Sequence, residues 1–317
     1  MSETATIELL NSCRTGDVGR VKLLLNDKGI DINEVDEHGQ TPLCITCCFG
    51  SAEGQNEGHI EIVKLLLNDE RVDVNKVDGK NGWTPFYIAC NNGQIEIVKL
   101  LLNDQRVDVN QANIKKLFWT PFHRACFNGH TEVVQLLLND QRADVNKAMI
   151  GGLTPFHIAC SEGYVDIAKI LLNDLRVDLN KTTTTNNGWS SFYLACEYGH
   201  IQVVKLLLSN QRVDVTKPEK NGQTPFWIAC GRGQIEIVEL ILASGREVNL
   251  TEKNIYGQSA IDVARQRNGK EIVNLLESFE NNPIETKIKL KIKHGFAGKI
   301  IIFIFQSFYF IYFIYFY

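Results

Sequence analysis

The stretch Gly82-Trp83-Thr84-Pro85-Phe86-Tyr87-Ile88-Ala89-Cys90-Asn91-Asn92-Gly93-Gln94-Ile95-Glu96-Ile97-Val98-Lys99-Leu100-Leu101-Leu102-Asn103 decides the fold. Thr84 suits a helix N-cap, and Pro85 stands at the first helical position, where a backbone N–H is not needed. Gly93 supplies the left-handed residue that ends this first helix and turns the chain. A second helix is apolar at Ile97, Val98, Leu101 and Leu102, with Glu96, Lys99 and Asn103 turned outward. Val107-Asp108-Val109-Asn110 then leads into an extended finger.

The same wording recurs along the chain. Its leading Thr falls at Thr41, Thr84, Thr120 and Thr154, becomes Ser190, returns at Thr224 and ends as Ser259. After the first gap the spacing holds at 34 to 36 residues. The turn glycine keeps register at Gly93, Gly129, Gly163, Gly199 and Gly233, and Asn268, which tolerates positive φ, takes its place in the last copy. With an early copy ending in Gly16 and Val21–Asn26, eight units cover residues 4–280. A single pair of helices this short cannot bury its apolar faces, so stability must come from stacking on neighbours.

Composition agrees with a folded protein: 317 residues, 44% hydrophobic and 22% charged. A net charge of −4, mixed in sign, argues against a nucleic-acid partner. The first residues have neither a basic region nor a long apolar run, so no secretory signal is expected. The nine cysteines are then expected as free thiols in a reducing, cytoplasmic setting.

A period near 34 with Thr-Pro, Ala-Cys, Gly and a Leu-rich helix resembles the ankyrin repeat. The resemblance implies an all-α ankyrin-repeat solenoid, with stacked helix–turn–helix units and short β-hairpin-like fingers. It implies a domain over 1–282, with first and last units atypical. It also implies a non-catalytic, monomeric scaffold that binds a protein or peptide on its concave face and carries no cofactor. Four departures are visible. Ser51–Gly58 is an insertion expected to form a solvated loop. Phe118 replaces a finger glycine, so that turn should differ from those at Gly82, Gly152, Gly188 and Gly222. Ser190-Ser191 keeps the cap without the proline. The loop Asn68-Asp69-Glu70-Arg71-Val72 is one residue longer than the family's usual form, and that length recurs in five units.

Chemistry-bearing residues mostly fall on repeat positions. Cys13, Cys47, Cys90, Cys126, Cys160, Cys196 and Cys230 share one register and are read as small core residues. Cys44 and Cys48 form an i, i+4 pair without the further ligands a metal site needs, and with Cys47 they are the basis of a remote thiol-redox reading. His123 and His157 follow Thr-Pro-Phe and, by the resemblance, brace the loop. No catalytic or metal-binding residue is assigned. The binding candidates are Trp83, Trp119 and Trp189 at the finger bases, with Phe49, Phe127 and Tyr198 just after the periodic cysteine. Large aromatic rings bury much area at low entropic cost and are enriched in hot spots, although the tryptophans could equally act as spacers. Lys76, Lys147, Lys181 and Lys217 read as a solvated row, diluted by acids such as Asp78 and Glu219.

The C-terminus stands apart. Residues 283–299 read as a basic linker with Lys287, Lys289, Lys291, Lys293 and Lys299. Ile300–Tyr317 contains only Ile, Phe, Tyr, one Gln and one Ser. As a helix this tail would span about 27 Å, near the thickness of a hydrocarbon core. Three readings stand: a tail anchor tethering the scaffold to a membrane with the repeats on the cytosolic side, a translated A/T-rich non-coding stretch, or a segment docked on the last repeat.

Overall fold

A computed structural model describes residues 2–50, 56–113 and 117–296. The chain forms two units: Met1–Ala159 with Asp166–Asp178, and Cys160–Val165 with the chain from Leu179 onward. In the first, helices alternate as α1 (Ser2–Thr15), α2 (Val18–Leu24), α3 (Pro42–Phe49), α4 (Asn56–Leu67), α5 (Pro85–Asn92), α6 (Ile95–Asn103), α7 (Pro121–Phe127) and α8 (Thr131–Asn139). α9 (Pro155–Glu162) begins in this unit, and α10 (Val165–Asn173) lies almost wholly within it. The second holds α11 (Ser191–Glu197), α12 (Ile201–Ser209), α13 (Pro225–Gly231), α14 (Ile235–Ser244), α15 (Ala260–Gln266), α16 (Lys270–Asn281) and α17 (Pro283–Lys293).

Each pair forms as its residues dictate. The Thr84 hydroxyl accepts from Tyr87 N at 3.0 Å, and Gly93 closes α5 at φ 68°. Ser190 caps α11 without help from proline, accepting from Tyr193 N at 3.1 Å, and Asn268 takes φ 59° in the glycine's place. First helices pack on first helices, α1·α3·α5·α7 and α11·α13·α15. Second helices pack on second helices, α2·α4·α6·α8 and α12·α14·α16. Phe86, Ile97, Val98 and Leu101 are buried in the shared interior, as are the seven periodic cysteines.

Three polar ladders join the layers. The longer loop is explained by the first. Asp69 orients Arg71, Asp104 orients Arg106 and Asp140 orients Arg142, at 2.6–2.7 Å. The guanidinium then donates to the end of the preceding second helix: Arg106 to Leu67 O and Arg142 to Leu102 O, both at 2.7 Å. A cation on orphan C-terminal carbonyls satisfies both hydrogen bonding and the helix dipole. The Arg71 guanidinium holds the Asp69 carboxyl down at about 2. In the second ladder each finger asparagine grips the next loop. Asn75 Nδ2 donates to Arg106 O at 2.7 Å while its Oδ1 accepts from Asp108 N at 2.8 Å. Asn110 does the same with Arg142 O and Asp144 N. In the third, His130 Nε2 bonds Asn91 O at 2.9 Å, and His200 Nε2 bonds Ser161 O at 2.6 Å.

Several expectations change. The fingers close by one or two backbone bonds, such as Asp78 N to Trp83 O (2.9 Å) and Gly82 N to Asp78 O (3.2 Å), and Thr182–Ser190 is an isolated antiparallel bridge. Among the described residues they are hairpin-like, as expected, and form no extended strands. The Phe118 turn differs, as expected, from the single left-handed residue at Gly82 and Gly222, but it matches Gly151-Gly152 (99° and 84°) and Asn187-Gly188 (66° and 80°): Leu117 (φ 44°) and Phe118 (φ 55°) both adopt the left-handed conformation. Closure of the finger outweighs a backbone cost of about 1–2 kcal/mol per residue. Asn56–Gly58, placed in the insertion loop, is the first turn of α4, while 51–55 lie outside the described residues. Residues 283–293 are no linker. Pro283 starts α17, which packs on α14 and α16, buries Thr286 and Leu290, and pairs Lys293 with Glu239 at 2.6 Å. Two of the finger lysines are not solvated charges: Lys76 Nζ donates to Asn33 O at 2.8 Å and Lys217 Nζ to Asn180 O at 3.0 Å. Asp78 and Glu219 are buried and accept backbone N–H groups inside their own fingers, so they do not dilute a surface field. Among the described residues no helix is long and apolar enough to cross a membrane, and the Ile300–Tyr317 tail lies outside them.

Candidate partner-binding surface

The finger base and the first helix bring aromatic rings together because the residue before the Thr cap lies one helical turn from the third helical position. In the first unit Trp83 tilts against Tyr87, ring centroids 5.2 Å apart. Trp119 lies 6.2 Å from His123 and meets Phe127 edge-on at 5.1 Å. Neither tryptophan is buried, and Phe127 is 37% exposed. Arg124 joins the two repeats. Its Cζ lies over Trp83 at 5.7 Å, Trp119 at 5.4 Å and Phe127 at 5.7 Å.

Sequence reading missed this arginine. The signal was present: Arg124 occupies the register of Ile45, Ile88, Ile158, Leu194 and Ile228, the one cation in an aliphatic column. It is half-buried, and its Nε and the Trp83 Nε1 are both buried donors without an acceptor.

In the second unit Trp189 stacks on Tyr193, with centroids 5.9 Å apart and planes within 8°. Burial pushes the Tyr193 phenol well above its usual range. Beyond it Glu197 pairs with Arg232, and with Trp227 these groups line a concavity of about 270 Å³.

The six candidate rings do not form one stripe. Phe127 follows its cysteine by one residue, whereas Phe49 and Tyr198 follow theirs by two, about 100° further around the helix. Phe49, 42% exposed, lies under Arg14 at 6.0 Å, and Tyr198, 56% exposed, lies 6.4 Å from His200. The structure thus gathers Trp83, Trp119 and Phe127, places Trp189 on its own aromatic pair, and sets Phe49 and Tyr198 aside.

The histidines and thiols are engaged in structure. His123 Nδ1 accepts from Thr120 N at 3.2 Å and Nε2 bonds Leu153 O at 3.0 Å, tying one finger to the next. Burial lowers its pKa to about 4. His157 Nδ1 bonds Thr154 in the same way. The nine thiols are free of disulfides. Burial pushes Cys13 and Cys44 up to about 12, and raises Cys47 and Cys48. That is opposite to the direction that activates a thiolate. Cys44 Sγ bonds Lys76 O at 3.5 Å, and Cys48 Sγ accepts from Gln40 Nε2 at 3.2 Å.

The chain matches the family model described as Ankyrin repeats (3 copies) over residues 52–149, 141–218 and 211–286. It belongs to the ankyrin-repeat family. Ankyrin repeats generally mediate protein–protein interaction, and the family is typically non-catalytic. In these ankyrin repeats the polar ladders and the seven periodic thiols serve stacking, and the finger-base aromatics are left partly open.

Proposed function

We propose that the protein is a non-catalytic scaffold or adaptor that binds a protein or peptide partner at its finger bases. Trp83, Trp119 and Trp189 carry the contact, with Phe127 completing the first cluster and Phe49 and Tyr198 at separate positions. One observation carries the reading. The Phe that follows Thr-Pro is buried, as at Phe86 and Phe156, whereas the three tryptophans remain partly open, Trp119 against exposed Phe127 and Trp189 against Tyr193 in the other unit. Half-open aromatic clusters on a rigid helical frame are what hot spots are made of. The engagement of His123 and of the raised thiols in packing supports the non-catalytic reading.

The test is affinity capture by the full chain, with Trp83→Ala/Trp119→Ala/Trp189→Ala as the paired variant and binders scored by mass spectrometry. The rings stack on Tyr87, His123 and Tyr193, so the variant also loses some stability, and capture is compared where circular dichroism shows both proteins folded. Loss of the wild-type binders supports the assignment. Capture unchanged by the triple substitution rejects it. Phe49→Ser/Tyr198→Ser removes exposed rings only, and a loss confined to that variant would move the contact away from the tryptophans.

A further inference from the structure

We propose that Arg124 takes a side-chain carboxylate of the bound partner, with the partner's neighbouring apolar residues lying on Trp83 and Trp119. The inference rests on the protein-binding reading above and names the chemistry that one part of the surface selects.

The register makes the residue conspicuous. Aliphatic side chains fill this position at Ile45, Ile88, Ile158, Leu194 and Ile228, so packing alone requires no charge here. A guanidinium that is half desolvated costs more than isoleucine unless something uses its donors.

Its surroundings show that the fold does not use them. Arg71, Arg106, Arg142 and Arg176 each pair with an aspartate two residues earlier, Arg14 with Asp36, Arg20 with Glu8, Arg232 with Glu197 and Arg265 with Glu277. Among the described residues no carboxylate pairs with Arg124 and no carbonyl accepts from it; Trp83, Trp119 and Phe127 hold it instead. Aromatic rings satisfy the charge from the ring face without consuming an N–H donor. What is left to a ligand is the planar fork of terminal nitrogens, pre-oriented by three rings, and a carboxylate matches that fork with two parallel hydrogen bonds.

The choice of carboxylate over phosphate follows from charge. One monovalent cation matches one monovalent anion, whereas phosphate recognition draws on clustered arginines. Among the described residues Arg124 is the one guanidinium lying on these three rings. The surrounding aromatics favour an acid flanked by apolar side chains over a run of acids.

The probe is a phage-displayed library of random dodecapeptides, selected in parallel on the immobilised full chain and on its Arg124→Ile variant. Isoleucine is the register's own residue, so this variant is expected to fold with an unchanged or higher thermal midpoint. The expected result is Asp or Glu fixed at one position of the wild-type peptides and absent from the variant's. The leading synthetic peptide should lose roughly tenfold or more in affinity on Arg124→Ile, and similarly when its acid becomes the amide. The amide peptide should bind the variant no worse than the acid peptide does. Binders without an acid, or an acidic peptide that binds Arg124→Ile as well as wild type, overturn the carboxylate and leave the scaffold reading standing. A phosphoserine peptide that binds ten times tighter than the glutamate peptide overturns it in favour of phosphate. A selection that yields no binder on either protein overturns both readings.

Discussion

Replacing Asn110 tests whether the asparagine ladder joins repeats or merely decorates the fingers. Its amide makes two bonds into the next loop, Nδ2 to Arg142 O at 2.7 Å and Oδ1 from Asp144 N at 2.8 Å. Each bond is worth about 0.5–1.5 kcal/mol net, and the second is exposed enough for water to replace it in part, so Asn110→Ala should cost about 1–2 kcal/mol. Asn110→Asp separates the geometry from the size of the side chain. It keeps an acceptor for Asp144 N but points an anion at the Arg142 carbonyl, beside the carboxylates of Asp108 and Asp144. Near neutral pH it should therefore be worse than alanine. The misplaced carboxylate favours its protonated form, which can donate to the carbonyl, so the folded pKa lies above the unfolded value near 3.9. The penalty should shrink as pH falls through the folded pKa toward the unfolded one. Urea titrations followed by circular dichroism give the stabilities, and amide exchange at Asp144 reports the rung directly. An Asn110→Ala protein within about 0.3 kcal/mol of wild type, or Asn110→Asp equal to wild type near neutral pH, would refute the reasoning.

Three further outcomes follow from named groups. His123 titrates near 4 when folded against 6.5 when free, so it stabilises the neutral-pH fold. The contribution is fully present above about 6.5 and is lost as pH falls toward about 4, on the order of 3 kcal/mol in all. His123→Tyr, which borrows the residue of the Tyr87 and Tyr193 register, should flatten that acid limb of a midpoint-versus-pH plot; an unchanged slope would assign the limb to other groups. Gly93→Ala meets both a φ of 68° and His130 Nδ1 2.6 Å from the new Cβ, while Gly233→Ala meets only a φ of 75° because Gly269 stands at the register of His130. The Gly233 change should cost about 1 kcal/mol and the Gly93 change clearly more in thermal melts, and equal losses would discount the histidine contact. Finally, a thiol reagent at mildly alkaline pH should reach half-buried Cys48 first and the others only on unfolding; rapid labelling of Cys44 or Cys47 in the folded chain would contradict their raised pKa values.

Much of the fold was legible because its signals are local and repeated. Thr84, Pro85 and Gly93 act within a few residues, and the apolar spacing of Ile97, Val98 and Leu101 is a helical period. What was not legible depends on partners some 40 to 55 residues away. The longer loop was visible at Asp69-Glu70-Arg71, but that Arg71 reaches Leu25 O is a fact of stacking. Lys76 looked solvated because nothing nearby in sequence shows the Asn33 carbonyl. The 283–293 segment looked like a linker because alternating lysines hid the Thr286–Leu290 face that α14 and α16 cover. At the surface, the tryptophans were found by residue type. Arg124 was missed because its signal lies down the column of equivalent positions and not within its own helix.

That column suggests why the surface can specialise without loss of the stack. Beside the shared apolar interior, adjacent repeats are joined by groups that address backbone: arginine to helix-end carbonyls, asparagine to loop amides and carbonyls, histidine to the preceding first helix. Bonds to backbone are indifferent to the side chains of the neighbour, so a repeat can change its finger-base residues and still meet the next one. The position of Arg124 is one such freedom, filled by an aliphatic residue in six repeats, Val263 of the last included, and by a guanidinium in one. The position before the cap is another, taken by Trp83, Trp119 and Trp189 but by Leu153, Gln40 and Gln223 elsewhere. Where the ladder itself changes, the geometry follows. Thr216 replaces the asparagine just before the shorter loop at Ser244-Gly245-Arg246, and its hydroxyl turns back to Asp214 at 2.8 Å instead of reaching forward. Arg246 nonetheless keeps the other rung, donating to Asn210 O and Val213 O. The helix-end carbonyls require a cation even where the finger gives up its amide. On that ranking, loss of Arg142 should loosen the first unit more than loss of Asn110.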